Sequence, residues 1–146
     1  MKSDGKAQWR SNPPFYRHLG LELDALADGK SAIRLPFRKE YGNTRGEVHG
    51  GAVATLLDAP MSQAVRSTVE LDARVATISM TINYLAPGVG DLVCRGTVIR
   101  GGRSLSFVEA EVTDAGGRVV CRPTATFPAA AVEGPQTVNR ERLAAY

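Results

Sequence analysis

Histidine and cysteine are scarce in this chain, and that scarcity excludes several chemistries. His18, His49, Cys94 and Cys121 are its only residues of these two kinds, and no pair of them has the short C-x2-C or H-x3-H spacing of a zinc site. No metal is expected. The first residues, MKSDGKAQWR, lack the apolar stretch of a secretion signal, so the two cysteines read as reduced core residues and a cytoplasmic location is expected. No apolar run reaches the roughly 18 to 20 residues of a membrane span. Aromatic residues make up only 6% and the bases are scattered, so neither stacking platforms nor a phosphate-tracking stripe is present, and a net charge of +3 does not point to nucleic acid. A G-x-S-x-G nucleophile elbow, a Walker loop and a dinucleotide glycine fingerprint are also missing, which removes serine-hydrolase and nucleotide readings.

What is present is the composition of one ordinary globular domain: 146 residues, 43% hydrophobic and 23% charged. Residues 1–18 form a polar N-terminal extension with room for a short docked helix. From Leu19 the sequence alternates with period two through Leu21 and Leu23, and the turn signal Asp28-Gly29 precedes a second alternating run, SAIRLPF; together they predict a β-hairpin. Four more strands are expected at about 75–85, 92–100, 104–113 and 119–127, joined by the turns APGVG, GG and DAGG. The domain is taken as 19–127, followed by a tail, 128–146, that ends in a short helix.

Between these strands lies VHGGAVATLLDAPMSQAVRST, residues 48–68, with apolar residues at helical spacing and Asp58 as the one charge between Gly50 and Val65. A helix apolar nearly all round is expected to be enclosed. Two strands, one such helix and four antiparallel strands define an α+β fold in which the sheet curls around the helix and its edge calls for a second copy of the chain.

Asp58 is the leading chemical candidate. A carboxylate on a buried helix must pair, take up a proton or face a cleft. Pro60 offers a structural alternative, in which Asp58 caps a second helical segment starting near Ala59; the two roles are compatible. Pro60 should also free the Leu56 carbonyl and kink the helix. Gly50, at the helix start, presents free N–H groups and the positive end of the dipole to a developing oxyanion, although a Gly-Gly pair there also serves plain turn geometry. His49 is equally open between a base and a structural histidine. Gly50 and Asp58 are eight residues apart, about 12 Å along a helix, too far for one carbonyl to touch both. Two antiparallel helices across a twofold axis would bring the Gly50 of one chain to the Asp58 of another. A carboxylate with backbone donors suits attack on an activated acyl group such as a thioester, and needs no metal.

The pattern N-x5-HGG-x6-D (Asn43, His49, Gly50, Gly51, Asp58), followed by TISMTINYLAPG and GGRSLSFVEAEV, resembles the hotdog-fold acyl-CoA thioesterases of the phenylacetate-degradation (PaaI-like) type, related more broadly to 4-hydroxybenzoyl-CoA thioesterases. The resemblance covers residues 19–127. It implies a curled antiparallel sheet wrapped around one central helix, and hydrolysis of an acyl-CoA, aryl-acetyl or medium-chain, with no cofactor beyond the CoA of the substrate. It further implies that Asp58 activates water or attacks the thioester, that the Gly50 N–H polarises the carbonyl, and that Asn43 and His49 orient the carbonyl and departing sulfur. Thr77 occupies the position of a hydroxyl that holds the water, and Arg103 and Gly51 are the candidate contacts to CoA. The implied assembly is a homodimer or dimer of dimers. Two other functions remain open on the same fold: a non-catalytic acyl-CoA-binding regulatory module, and an acyl-thioester hydratase or dehydratase.

Overall fold

A computed structural model describes residues 7–71 and 73–128. The chain opens with helix α1 (Pro14–Leu19), then a hairpin of β1 (Glu22–Ala27) and β2 (Lys30–Leu35), a 3-10 turn (Lys39–Tyr41) and the long helix α2 (Gly50–Arg66). Strands β3 (Ser79–Thr81), β4 (Leu92–Gly101), β5 (Leu105–Thr113), β6 (Val119–Cys121) and β7 (Thr124–Pro128) complete it. The strands form one antiparallel sheet in the order β1-β2-β4-β5-β7-β3, with β6 also paired to β5. The sheet curls around α2, which is the hotdog arrangement. No helix among the described residues is long and apolar enough to cross a membrane.

The hairpin turns where the sequence predicts. Asp28 and Gly29 both adopt positive φ, 48° and 77°, the two left-handed residues of a type I′ turn whose twist matches the strands it joins. The start of β1 differs from expectation. Leu19 belongs to α1, because Pro14 opens a helix at its first position and Gly20, left-handed at φ 69°, closes it. The spacing of Tyr16 and Leu19 is therefore helical, and both are buried in the core.

Helix α2 lies against the concave face of the sheet. Val53, Leu56, Leu57, Met61 and Val65 are each at most 2% exposed and share one core with Ile33, Leu35, Leu92, Cys94, Val108, Val112 and Phe127 from the strands. Burying a side chain of this size contributes about 1.5–3 kcal/mol, so this face is a main source of the domain's stability. The helix runs unbroken through Pro60, contrary to the reading of Asp58 as the cap of a second segment. Packing holds it in place. The Ser31 hydroxyl donates to the Pro60 carbonyl at 2.6 Å, and β4 approaches the helix so closely that a Cβ on Gly96 would lie 3.1 Å from that carbonyl.

Two expected strands are cut short. Of 75–85 only Ser79–Thr81 joins the ladder, with Ile78 N–H donating to Thr126 and a bridge at Tyr84. The expected run 119–127 is divided into β6 and β7 at Pro123, which has no N–H to donate; the Ala110 N–H bonds the Pro123 carbonyl across the break. The helix expected in the tail falls at 129–146, outside the described residues.

Candidate active site

On α2, Asp58, Ser62 and Arg66 recur every four residues and form a polar stripe along a largely apolar helix. The stripe borders a cavity of about 220 Å³ whose other walls are Ser11, Pro13 and Tyr16 from the N-terminal segment and Val75, Ala76 and Thr77 from the approach to β3. The half-buried Asp58 carboxylate has one hydroxyl on each oxygen. Thr77 Oγ1 donates to Oδ1, and the Tyr16 hydroxyl donates to Oδ2 at 3.3 Å. Burial and the adjacent Asp58 charge push the Tyr16 phenol up to about 12, so it stays protonated as a donor. Arg66 donates to the Val75 carbonyl at 2.9 Å, and burial pushes its pKa down.

Gln63 builds the wall behind this cavity. It is fully buried, its Oε1 accepts from the Arg10 N–H at 3.0 Å and its Nε2 donates to the Ser11 carbonyl at 2.7 Å. These bonds fasten the N-terminal segment across α2 and fix the entry of α1, which carries Tyr16.

At the other end of α2, His49 is the N-cap. Its Nδ1 accepts from the Gly51 N–H at 2.9 Å, which leaves the proton of the neutral ring on Nε2. The Gly51 N–H is thereby used, whereas the Gly50 N–H has no partner among the described residues. Gly50 borders a second cavity, of about 330 Å³, with Asn43, Val53, Tyr84 and Leu85 among its walls; the Tyr84 hydroxyl donates to the Gly50 carbonyl at 2.9 Å. Asn43 is largely occupied in its own loop. Its Oδ1 accepts from the N–H groups of Arg45 and Glu47, at 2.8 and 3.1 Å, and its Nδ2 donates to the Glu47 carboxylate at 3.1 Å, leaving one amide hydrogen. The Asn43 amide, and after it the Arg45 Nε–H, which donates to the same carboxylate oxygen at 3.1 Å, pull the Glu47 carboxyl below its ordinary range.

Within one chain the expected residues therefore form two groups. Thr77 joins Asp58; Asn43, His49, Gly50 and Gly51 gather at the helix start, and α2 separates the groups by about 12 Å. Arg103 stands exposed in the β4–β5 turn and lines neither cavity. Tyr16, Gln63 and Arg66 escaped the sequence reading. A polar triplet Ser62, Gln63 and Arg66 in an enclosed helix was the available sign that a polar surface lies opposite it.

A carboxylate held by hydroxyls and a helix start with a free N–H are the equipment of acyl-group hydrolysis, mounted here on a hotdog fold. Residues 45–121 match the thioesterase superfamily, and the chain belongs to that family. It is 32% identical over 112 residues to acyl-coenzyme A thioesterase 13 of Homo sapiens, covering 74% of this chain and 79% of that one. The structure of conserved protein PA5202 from Pseudomonas aeruginosa superposes with a TM-score of 0.76 at 32% identity, covering 82% of this chain and 95% of the other. A hypothetical thioesterase from Streptococcus pneumoniae, solved with coenzyme A, superposes with a TM-score of 0.69 at 26% identity, covering 79% and 89%. The chain is a thioester hydrolase.

Proposed function

We propose that this hydrolase acts on an acyl-CoA, aryl-acetyl or medium-chain, releasing the free acid and CoA. The observation that carries the reading is Asp58: a carboxylate placed within a buried helix, gripped by Thr77 and Tyr16 and facing a cavity, in a chain of the thioesterase superfamily. The acyl-coenzyme A thioesterase relative and the coenzyme A-bound neighbour support CoA as the thiol.

In this reading Asp58 either takes a proton from the attacking water or attacks the thioester carbon itself. With water as nucleophile, its oxygen bonds to the carbonyl carbon as its proton passes to Asp58; collapse of the tetrahedral adduct then re-forms the carbonyl and breaks the C–S bond, and the thiolate departs with the proton passed on from Asp58. Charge gathers on the carbonyl oxygen at the tetrahedral stage, and an unpartnered helix N-terminal N–H is suited to receive it. Because Gly50 and Asp58 of one chain are too far apart, the donor is the partner's Gly50, in a homodimer whose α2 helices run antiparallel. The short edge strand β3 carries Ser79–Thr81 beside the Thr77 that holds Asp58, so pairing along that edge would place the second chain next to the carboxylate. On the same reading His49, through its Nε2–H, and the free amide hydrogen of Asn43 assist at the carbonyl and sulfur, and Arg103 and Gly51 contact CoA.

The test is thiol release from a panel of aryl- and alkyl-CoA thioesters, with native mass measurement of the assembly. Wild-type protein should release CoA from at least one class as a dimer or larger, and Asp58→Asn should lower turnover by about 10²- to 10⁴-fold. Undiminished hydrolysis in Asp58→Asn would remove the carboxylate from the mechanism, a fully active monomer would remove the shared site, and hydrated or dehydrated product without free thiol would replace the reaction.

A further inference from the structure

The Asp58 carboxylate is held from two directions that differ in kind. Thr77 comes from the strand side, 19 residues later in the chain; Tyr16 comes from the N-terminal segment, 42 residues earlier, and its ring is clamped. Tyr16 is 9% exposed, its ring centroid lies 6.0 Å from that of Trp9, and it belongs to the same core as Leu19. Such a ring has almost no freedom, so its hydroxyl is a fixed point in space. The segment that delivers it is itself anchored to the helix carrying Asp58, through both bonds of buried Gln63 and through Arg10, whose side chain donates to the carbonyls of Arg66 and Val69 at 3.3 Å.

We infer that Tyr16 is a positioning residue for Asp58, its hydroxyl fixing the rotation of the carboxylate so that the lone pairs not bound by Thr77 or Tyr16 face the cavity. The inference rests on the reading of Asp58 as the residue that activates water or attacks the thioester. A carboxylate anchored at one oxygen swings about the Cβ–Cγ bond; a donor on each oxygen stops that rotation. The gain is one of orientation. Misplacement of a base or nucleophile slows the reaction even when the substrate still binds, because the reacting atoms must meet at about 3 to 3.5 Å with aligned orbitals.

The experiment compares wild type, Tyr16→Phe, Asp58→Asn and the double variant with an acyl-CoA that the wild type hydrolyses, each checked by thermal melting. Phenylalanine keeps the ring, the Trp9 contact and the core burial, and removes only the hydroxyl. Tyr16→Phe should fall about ten-fold in kcat, as expected for one hydrogen bond to a charged group, with KM within about two-fold of wild type. In the Asp58→Asn background the same change should cost nothing further, because a residue that acts through Asp58 has nothing left to orient. A Tyr16→Phe enzyme with wild-type kcat, a loss confined to KM, or an undiminished extra loss in the Asp58→Asn background would each overturn the inference while leaving the role of Asp58 intact. Wild-type turnover in Asp58→Asn would instead overturn the carboxylate reading, and the positioning role with it.

Discussion

Replacing Gln63 by methionine should loosen the N-terminal segment and lower both stability and activity. Gln63 is fully buried, and its side-chain amide makes two bonds to backbone groups more than 50 residues away, at 3.0 and 2.7 Å. Methionine has nearly the same length and volume, so no cavity opens and the packing of α2 against the sheet is preserved. What is lost is the pairing of the Arg10 N–H and the Ser11 carbonyl. Each orphaned backbone group costs about 1–3 kcal/mol when it stays buried and about 1 kcal/mol when water reaches it; this edge is only partly buried, and the more apolar side chain recovers some of the loss. A net destabilisation of about 2 kcal/mol follows, equivalent to roughly 6–8 °C in melting temperature for a domain of this size. Urea unfolding gives the free energy, and amide exchange at Arg10 and Tyr16 should quicken far more than exchange in β4 and β5. Turnover should fall with it, because the segment carries Tyr16. A Gln63→Met protein within about 0.5 kcal/mol of wild type, with unchanged exchange at Arg10, would show that the strap does not depend on Gln63.

Gly96→Ala should destabilise by about 1–2 kcal/mol in urea titration: its methyl would sit 3.1 Å from the Pro60 carbonyl, on a helix already pinned by Ser31, and the overpacking outweighs the chain entropy that alanine saves. The charged Asp114 carboxylate is opposed by burial but accepts from the N–H groups of Arg118 and Gly116 and from the Arg118 side chain, with a net shift below the ordinary carboxylate range. A depressed folded value means stability present above the unfolded pKa and lost as pH falls through the folded one, so urea midpoints of wild type and Asp114→Asn should converge on the acid side of pH 4 and separate near pH 7. Cys94 and Cys121 are both buried with thiols pushed up by burial, and a thiol-specific reagent should label them only after unfolding, leaving released CoA as the signal in a thiol-release assay.

Features set by local chemistry were legible in the sequence. The Asp28-Gly29 hairpin turn, the enclosed helix and the helix-start group from Asn43 to Gly51 each depend on residues a few positions apart, and each stands where the pattern places it. The differences were local conflicts, one settled by tertiary contacts and one by flanking residues. Proline within a helix signals a break, but the close approach of Gly96 and the Ser31 bond hold α2 continuous through Pro60. Leu19, Leu21 and Leu23 have the spacing of a strand, but Pro14 and Gly20 bound a helix that takes the first of them.

The chain's own sequence determined that one apolar helix would be sheathed by a sheet and that a lone carboxylate would ride on it, because periodicity and burial are properties of consecutive residues. It could not determine what that carboxylate would touch. Thr77, with neighbours of the same parity at Ser79 and Thr81, had no direction until Ser79–Thr81 paired with β7, and Tyr16 meets Asp58 where Gln63 and Arg10 tie the first segment across α2. Contacts between residues 19 and 42 positions apart depend on the path of the whole chain, and the fold alone decides that path.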